Sequence, residues 1–388
     1  MRRAPDSKLP DVGTTIFTVM SRLAAELGAV NLSQGFPSYQ PPASLLARIA
    51  HYVQHGDNQY APMPGVPALC EAIAAKTERL QGRRLDADRE VTVTSGATEG
   101  LFSAILALVR PGDEVIVFDP AYDAYAPAVA LAGGRTRHVP LQLLENGEFG
   151  VDWDRLRAAV TPRTRLVVCN FPHNPTGVVL DACDLDTFAD CLSGSDAYVL
   201  ADEVYEHLVF DGRTHHSVLR HDALWERACV VSSFGKTFHA TGWKIGYCMA
   251  PPELTAELRK VHQFAVFTVN TPIQHALADF LQEEPGFADS LPAFYAAKRD
   301  LFCRLLADSP FSFVPARSTF FQVVDYSALD DGADDDVALR WTRDPGVASI
   351  PLSVFCEKPF TGRRLRFCFA KDESVLRAAV ERLSGLWS

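Results

Sequence analysis

Six short apolar runs, at residues 91–94, 114–118, 165–169, 198–201, 228–232 and 245–249, constrain this chain more than any other feature. Each is four or five residues long and rich in Val, Ile, Cys or aromatic residues, and helical patterns such as 101–110 and 185–192 separate several of them. A strand that is apolar at nearly every position has no face to offer to water, so it must be covered by helices on both sides. The expected fold is therefore α/β, with a mainly parallel sheet covered by helices.

The flanks read differently. At residues 14–28 the apolar positions Ile16, Val19, Met20, Leu23 and Leu27 recur at helical spacing, Thr14 or Thr15 is placed to start the helix, and Gly28 to stop it. Further helical patterns run from Pro42 to His51 and over 66–80. Beyond Pro252 come helices at 253–267, 272–282 and 292–307, short strands at 320–324, 348–350 and 365–369, and a last helix at 373–386, which together make a smaller α+β unit.

Composition excludes several classes of function. Lys and Arg total 37 against 48 Asp and Glu, a net charge of -11 with no long basic run, so neither nucleic acid nor an anionic membrane is an expected partner. No apolar stretch approaches the roughly 20 residues of a membrane span. The nine cysteines show neither a C-x-x-C pair nor metal-type spacing, and Met1 to Pro10 is polar and broken by prolines. These features predict buried thiols, no metal and a cytoplasmic location.

In an open parallel sheet, ligands bind beyond the carboxyl ends of the strands. Five of the predicted strands end in polar clusters: Ser95-Gly-Ala97-Thr98, Asp119-Pro-Ala-Tyr122, Asn170-Phe-Pro-His-Asn174-Pro, Asp202-Glu-Val-Tyr205 and Ser232-Ser233-Phe-Gly-Lys236-Thr. All five would meet on one sheet edge. The first opens a helix, where free backbone N–H groups attract phosphate; Ser233 and the cation Lys244 would complete that cup. Lys236 can form a Schiff base with an aldehyde, and Asp202 can pair with a protonated ring nitrogen that makes the ring an electron sink. Asn174 and Tyr205 suit a ring hydroxyl, and Tyr122 suits a ring face. The set describes pyridoxal 5′-phosphate.

Taken singly, each of these signals has a bland explanation. Asn174-Pro175 reads as a turn, Asp202 as a helix cap, Arg366 as an exposed strand residue beside Arg363 and Arg364, and Tyr60 as a surface turn. Gly235-Lys236-Thr237 mimics the end of a P-loop, but the position five before Gly235 is Val230. Their joint occurrence, in order and at consecutive strand ends, outweighs the separate explanations.

The motifs Ser-Phe-Gly-Lys236-Thr-Phe, Ala-Asp202-Glu-Val-Tyr205, Pro-His-Asn174-Pro and Arg366-Phe-Cys-Phe-Ala-Lys resemble the signatures of fold type I aminotransferases of class I and II. Leu-Ser-Gln-Gly35-Phe-Pro, Thr-Gly-Trp-Lys244-Ile-Gly-Tyr and Ile-Pro-Leu-Ser-Val-Phe355-Cys are most similar to the branch that holds methionine and kynurenine aminotransferases. The resemblance implies a large cofactor-binding domain at 40–275, a small domain built from 1–39 and 276–388, and a homodimer with a shared active site. It implies that Lys236 carries the cofactor and moves a proton between Cα and C4′, with Asp202 on the ring nitrogen and Tyr205 and Asn174 on the ring oxygen. Tyr122 would stack on the ring. Ala97, Thr98, Ser233, Lys244 and, from the neighbouring subunit, Tyr60 would hold the phosphate.

For the substrate, the resemblance implies that Arg366 binds the α-carboxylate, with Asn174 and Gly35 beside it, and that Phe17, Tyr39, Tyr60, Val269 and Phe355 line an apolar pocket. Two departures stand out: lysine at 244 where many relatives have arginine, and Val269-Asn270 where kynurenine enzymes have Phe-His. One substrate arginine favours a neutral donor, methionine before aromatic or other neutral amino acids, with a 2-oxo acid as acceptor in ping-pong kinetics. The alternatives are a pyridoxal-phosphate-dependent carbon–sulfur β-lyase and a non-catalytic regulator with an aminotransferase-like body. A nicotinamide dehydrogenase would need a G-x-G-x-x-G after a strand, which is absent.

Overall fold

The structure is a computed structural model that describes residues 6–56, 58–357 and 362–387. Its centre is a seven-stranded sheet of β1 (Val91–Thr94), β2 (Glu114–Asp119), β3 (Arg135–Pro140), β4 (Thr164–Asn170), β5 (Tyr198–Asp202), β6 (Ala228–Ser233) and β7 (Gly246–Met249). The spatial order is β1-β7-β6-β5-β4-β2-β3. All neighbouring pairs are parallel except those of β7, which runs antiparallel to both β1 and β6. The carboxyl ends of β1, β2, β4, β5 and β6 therefore share one edge, and because β7 is reversed, the residues just before it reach that edge too.

Every residue of β1 and β7 is buried, as is every residue of β2 and β5 but the first. On one face Val93, Val167 and Val230 pack with Leu69 and Ile73 of the helix Pro67–Gln81 and with Leu277 and Phe280 of the helix Thr271–Glu283. On the other, Val117, Val168 and Val231 pack with Leu101 and Ile105 of the helix Gly96–Leu108 and with Leu254 and Leu258 of Pro252–Ala265. Each such aliphatic side chain contributes roughly 1.5–3 kcal/mol of burial free energy, and this two-sided core keeps the polar edge rigid.

Strand β3 is absent from the sequence expectation. Its residues Arg135, Arg137 and Pro140 are exposed, as an edge strand permits, and polar residues at four of six positions hide it from an apolar-run criterion.

A second core joins the two chain ends. The helix Ile16–Leu27 starts on Thr15, whose side chain accepts from the Thr18 amide, and stops at left-handed Gly28. Its Met20 and Ala24 pack with Tyr295, Phe302, Leu376 and Leu383. The small sheet consists of β8 (Phe321–Asp325), β9 (Ile350–Pro351) and β10 (Arg364–Cys368) in the order β8-β10-β9, all antiparallel. The single strand expected at 348–350 is divided: Val347–Ala348 pairs in parallel with Val30–Asn31, and Ile350–Pro351 belongs to the small sheet. The helix Asp334–Arg343 is a further addition; its first turn holds three aspartates, which the helix dipole favours.

The helix Thr271–Glu283 packs its Ala276, Leu277 and Phe280 in the large core, whereas Ala288 and Leu291 beyond it, and Tyr205, Leu208 and Phe210 before it, belong to the small one. All nine cysteines are free, and six are buried as expected, but Cys183 is exposed on a helix surface and Cys303 and Cys356 are half-buried. Among the described residues no helix is long and apolar enough to cross a membrane.

Candidate active site

The first turn after β1 forms one end of the site. Gly96 takes φ +69 and begins the helix, so the Ala97 and Thr98 amides lie in a first turn that has no intrahelical acceptors. A side chain at Gly246, the first residue of β7, would place its Cβ 2.7 Å from the Ala97 nitrogen and 2.8 Å from the Ser232 carbonyl oxygen, so the strand and helix meet only with glycine there. Lys244, itself at φ +56, brings Nζ to 3.5 Å from Thr98 Oγ1. Ser233 Oγ accepts from the Gly235 amide at 3.1 Å. Free amides, two hydroxyls and one cation thus meet in a small cup.

Asp202, the last residue of β5, is buried and lines the same cavity as this cup. Tyr125 donates its hydroxyl to Oδ2 at 2.7 Å, and the Val204 amide donates to Oδ1 at 3.3 Å. Burial raises the carboxyl pKa to about 6, against the lowering effect of those donors and of Lys236. Asn170, the last residue of β4, donates Nδ2 to the Asp202 carbonyl at 2.9 Å and accepts the Asn174 amide at 3.2 Å, which joins the two strand ends. Burial also raises the hydroxyls of Tyr122 and Tyr205, keeping both as neutral donors.

Lys236 sits on the single turn Phe234–Thr237 that follows β6. Its Nζ donates to the Gly35 carbonyl at 2.6 Å and lies 5.6 Å from the Tyr205 ring centre and 5.7 Å from that of Phe320. Burial lowers its pKa to about 8; Cys368 and Asp202 oppose the shift, and the positive charges of Arg366 and Lys244 add to it. The amine is therefore far easier to deprotonate than a solvated lysine.

Arg366 lies on the central strand of the small sheet and is 1 % exposed, which removes the bland explanation of a solvated strand face. Arg363 and Arg364 instead pair with Asp331 and Asp325. Arg366 donates Nη1 to Asn174 Oδ1 and Nη2 to the Ser33 carbonyl, each at 2.9 Å, while its buried Nε has no partner among the described residues. The guanidinium lies 3.9 Å from the Phe321 ring centre, 5.2 Å from Phe355 and 5.3 Å from Phe17. Burial lowers its pKa to about 10, still charged at neutral pH.

The phosphate-type cup, Tyr122, Asn170, Asn174, Asp202, Tyr205 and Lys236 line a cavity of 220 Å³, and Arg366 adjoins it through its hydrogen bond to Asn174. Nine of the ten residues expected to bind cofactor line it; the exception is Tyr60, which is 81 % exposed and set edge-on to Phe267 at 5.4 Å. The Gly35 carbonyl accepts from Lys236, and Phe17 and Phe355 lie beside Arg366. Within one chain, Val269 and Tyr39 are not brought to the cavity. Val269 is buried in the large core, and its neighbour Asn270 caps the helix Thr271–Glu283 by accepting from the Ile273 amide. Tyr39 donates its hydroxyl to the Lys371 carbonyl and packs against His239 and Phe294.

Sequence reasoning missed Tyr125, Phe321 and the role of Asn170. Asn170 had a signal, since it opens the polar cluster that follows the predicted strand 165–169. Tyr125 follows Tyr122 by one helical turn, a weaker hint, and Phe321 had none.

The arrangement fits pyridoxal 5′-phosphate. The Ala97, Thr98, Ser233 and Lys244 cup suits its phosphate, buried Asp202 suits a protonated ring nitrogen, and the low-pKa amine of Lys236 between them suits its aldehyde. Comparison with known proteins agrees. The family described as "Aminotransferase class I and II" matches residues 28–383. A methionine aminotransferase of Escherichia coli is 54% identical over 383 residues, covering 98% of both chains, and a probable N-succinyldiaminopimelate aminotransferase of Mycobacterium tuberculosis is 40% identical over 392 residues, again covering 98% of both. The crystal structure of YbdL from Escherichia coli, reported with a methionine aminotransferase function, superposes with a TM-score of 0.96 at 53% identity, over 99% of this chain and 100% of that one. The chain belongs to the class I and II aminotransferases, enzymes of fold type I that depend on pyridoxal 5′-phosphate.

Proposed function

We propose that this aminotransferase takes the amino group from methionine, or less readily from another neutral apolar amino acid, and passes it to a 2-oxo acid. The carrying observation is the environment of Arg366. Its unpartnered Nε and two carbonyl-bound Nη groups can receive one carboxylate, and the rings of Phe17, Phe321 and Phe355 surround it. The cations that line the cavity are Lys236 and Lys244, and both are assigned to the cofactor. Among the described residues none is left for a side-chain carboxylate, so an acidic donor would carry an uncompensated charge into an apolar surround. The similarity to methionine aminotransferase supports the same donor.

Each residue then has a defined task. Bound pyridoxal 5′-phosphate supplies an electron sink for the pair left when the substrate Cα loses its proton. Lys236 anchors the cofactor and, once free, takes that proton as a neutral amine and returns it at C4′. Asp202 holds the proton on the ring nitrogen, Tyr205 and Asn174 hold the ring oxygen, and Tyr122 covers the ring. Arg366 orients the substrate as a fork, with Asn174 setting its plane. Gly35, Phe355 and Phe17 exclude water around the α-carbon. Donor and acceptor use one site in turn, so the kinetics are ping-pong.

The working enzyme is proposed to be a homodimer, in which the exposed Tyr60 reaches the phosphate of the neighbouring subunit and the apolar pocket is completed by residues, such as Tyr39 and Val269, that one chain does not bring to the cavity. The two chain ends form the smaller unit over the substrate. The relatives described above carry aminotransferase names, and no observation favours the β-lyase or the regulator.

A donor panel tests the reading. Methionine should give the highest kcat/KM and should bleach the yellow bound cofactor reversibly. Lys236→Ala should keep cofactor and lose turnover. Preference for aspartate, glutamate or an N-succinylated diamino acid would overturn the substrate assignment.

A further inference from the structure

The residues that follow Tyr205 and precede Ser233 are joined by one buried carboxylate that the mechanism does not use. Glu206 Oε1 accepts from Lys76 Nζ at 2.8 Å, from Ser232 Oγ at 2.5 Å and from the Tyr247 hydroxyl at 2.7 Å. Lys76 also donates to the Tyr247 hydroxyl at 2.5 Å and lies 5.1 Å from that ring's centre. The side chains of Glu206 and Lys76 are 7% and 9% exposed, and His207 Nε2 is 3.7 Å from the same oxygen. Burial opposes ionisation of Glu206, yet the charge and hydrogen bond of Lys76 hold it well below the usual carboxylate range.

The register gives this cluster its importance. Strand residues alternate in direction, so Ser233 reaches the cavity while Ser232 reaches Glu206. Tyr247 pairs with Ser232 across the β7–β6 ladder, and its neighbour Gly246 is the residue that abuts the Ala97 amide. Glu206 itself follows Tyr205 directly. One oxygen therefore links the ends of β5, β6 and β7, and Lys76 ties that link to the helix Pro67–Gln81. A surface ion pair would be free to move; a buried pair with every donor directed is a fixed joint, and breaking one partner leaves the other charge uncompensated.

We infer that Glu206 and Lys76 are positioning residues, which set the Tyr205 hydroxyl and the Ser233 side of the phosphate cup relative to one another. The inference rests on the cofactor contacts proposed above for Tyr205 and Ser233.

The test uses purified Glu206→Gln, Lys76→Met, their combination, and Ser232→Ala, with Tyr205→Phe as reference. Pyridoxal 5′-phosphate is removed and rebound to measure affinity, and the absorbance of the bound cofactor is titrated with pH. Glu206→Gln should weaken rebinding about tenfold, the loss expected for a charge-assisted hydrogen bond. It should raise the titration midpoint as Tyr205→Phe does, since a donor to the ring oxygen favours the anion. It should lower kcat while the donor KM stays within about twofold, because the substrate carboxylate is held elsewhere. In the combined variant a neutral amide can still accept from Ser232 and Tyr247 with no stranded charge, so affinity and midpoint should return toward wild type. Should Glu206→Gln fail to fold, Ser232→Ala should weaken rebinding about threefold by removing one arm.

Wild-type affinity and midpoint in Glu206→Gln, with only a lower Tm, would reduce the cluster to core support and overturn the inference. A midpoint that moves in Tyr205→Phe but not in Glu206→Gln has the same meaning. If Tyr205→Phe leaves the midpoint unmoved, the role given to Tyr205 fails instead, and the affinity of Glu206→Gln alone decides for or against the cluster.

Discussion

Tyr125 donates its hydroxyl to Asp202 Oδ2 at 2.7 Å, and this bond opposes the burial that raises the Asp202 carboxyl to a pKa of about 6. Tyr125→Phe removes the donor and nothing else of size. The carboxyl should then rise further, so that less of it is ionised at neutral pH to hold a ring-nitrogen proton. We expect kcat to fall about tenfold with donor KM little changed, and the acidic limb of the kcat profile to move to higher pH. An unmoved profile would exclude this role for Tyr125.

The depressed Lys236 amine has a direct kinetic consequence. Only the neutral amine attacks an aldehyde, and burial has lowered its pKa from 10.5 to about 8. With cofactor-free protein, the rate of pyridoxal 5′-phosphate attachment should rise through pH 8 and level off above it. Stopped-flow absorbance reads this directly; a rate still climbing steeply at pH 10 would mean an ordinary solvated lysine.

Gly35 has a tighter constraint than its turn alone would impose. A Cβ there would lie 2.6 Å from Phe321 Cζ, and the Phe321 ring carries the Arg366 guanidinium at 3.9 Å. Phe321 is buried and cannot retreat without moving its neighbours. Gly35→Ala should therefore displace the ring or the 33–36 segment and raise the donor KM about tenfold, with a smaller fall in kcat. Steady-state kinetics with methionine separate the two; an unchanged KM would show that the segment shifts freely.

The sheet and its polar edge were legible because burial on both faces leaves a plain signal: the runs at 91–94, 114–118 and 198–201 are strands within a residue of their predicted limits. The edge strand β3 was not legible, since a strand half in water need not be apolar. The direction of β7 was not either, because an antiparallel strand between buried neighbours is as apolar as a parallel one. Of the site, Asp202, Lys236 and Asn174 were readable as polar residues at strand ends. Tyr125, Glu206 and Lys76 touch their partners across elements distant in sequence, and beyond the one-turn spacing of Tyr125 from Tyr122 no local spacing announces them. Arg366 was placed by resemblance; only the small sheet's register explains why it, and not Arg363 or Arg364, is the buried one.

His173, three residues after Asn170 in the turn that carries Asn174, is buried and shares a 2.7 Å hydrogen bond between Nδ1 and Thr176 Oγ1. Burial lowers its pKa from 6.5 to about 3, against a weaker upward pull from the Pro120 backbone. The unfolded chain thus takes up this proton below about pH 6.5 while the folded chain does not, so stability falls as pH drops from 6.5 toward 3. For one fully buried group the loss at pH 5 relative to pH 7 is about 2 kcal/mol. His207, lowered to about 4 chiefly by burial, acts in the same direction. His173→Gln keeps a hydrogen-bonding side chain without the titration and should flatten the pH 7 to pH 5 fall in denaturant midpoint, leaving a residue from His207. An equally steep fall in the variant would show that the His173 turn opens to water before the fold is lost.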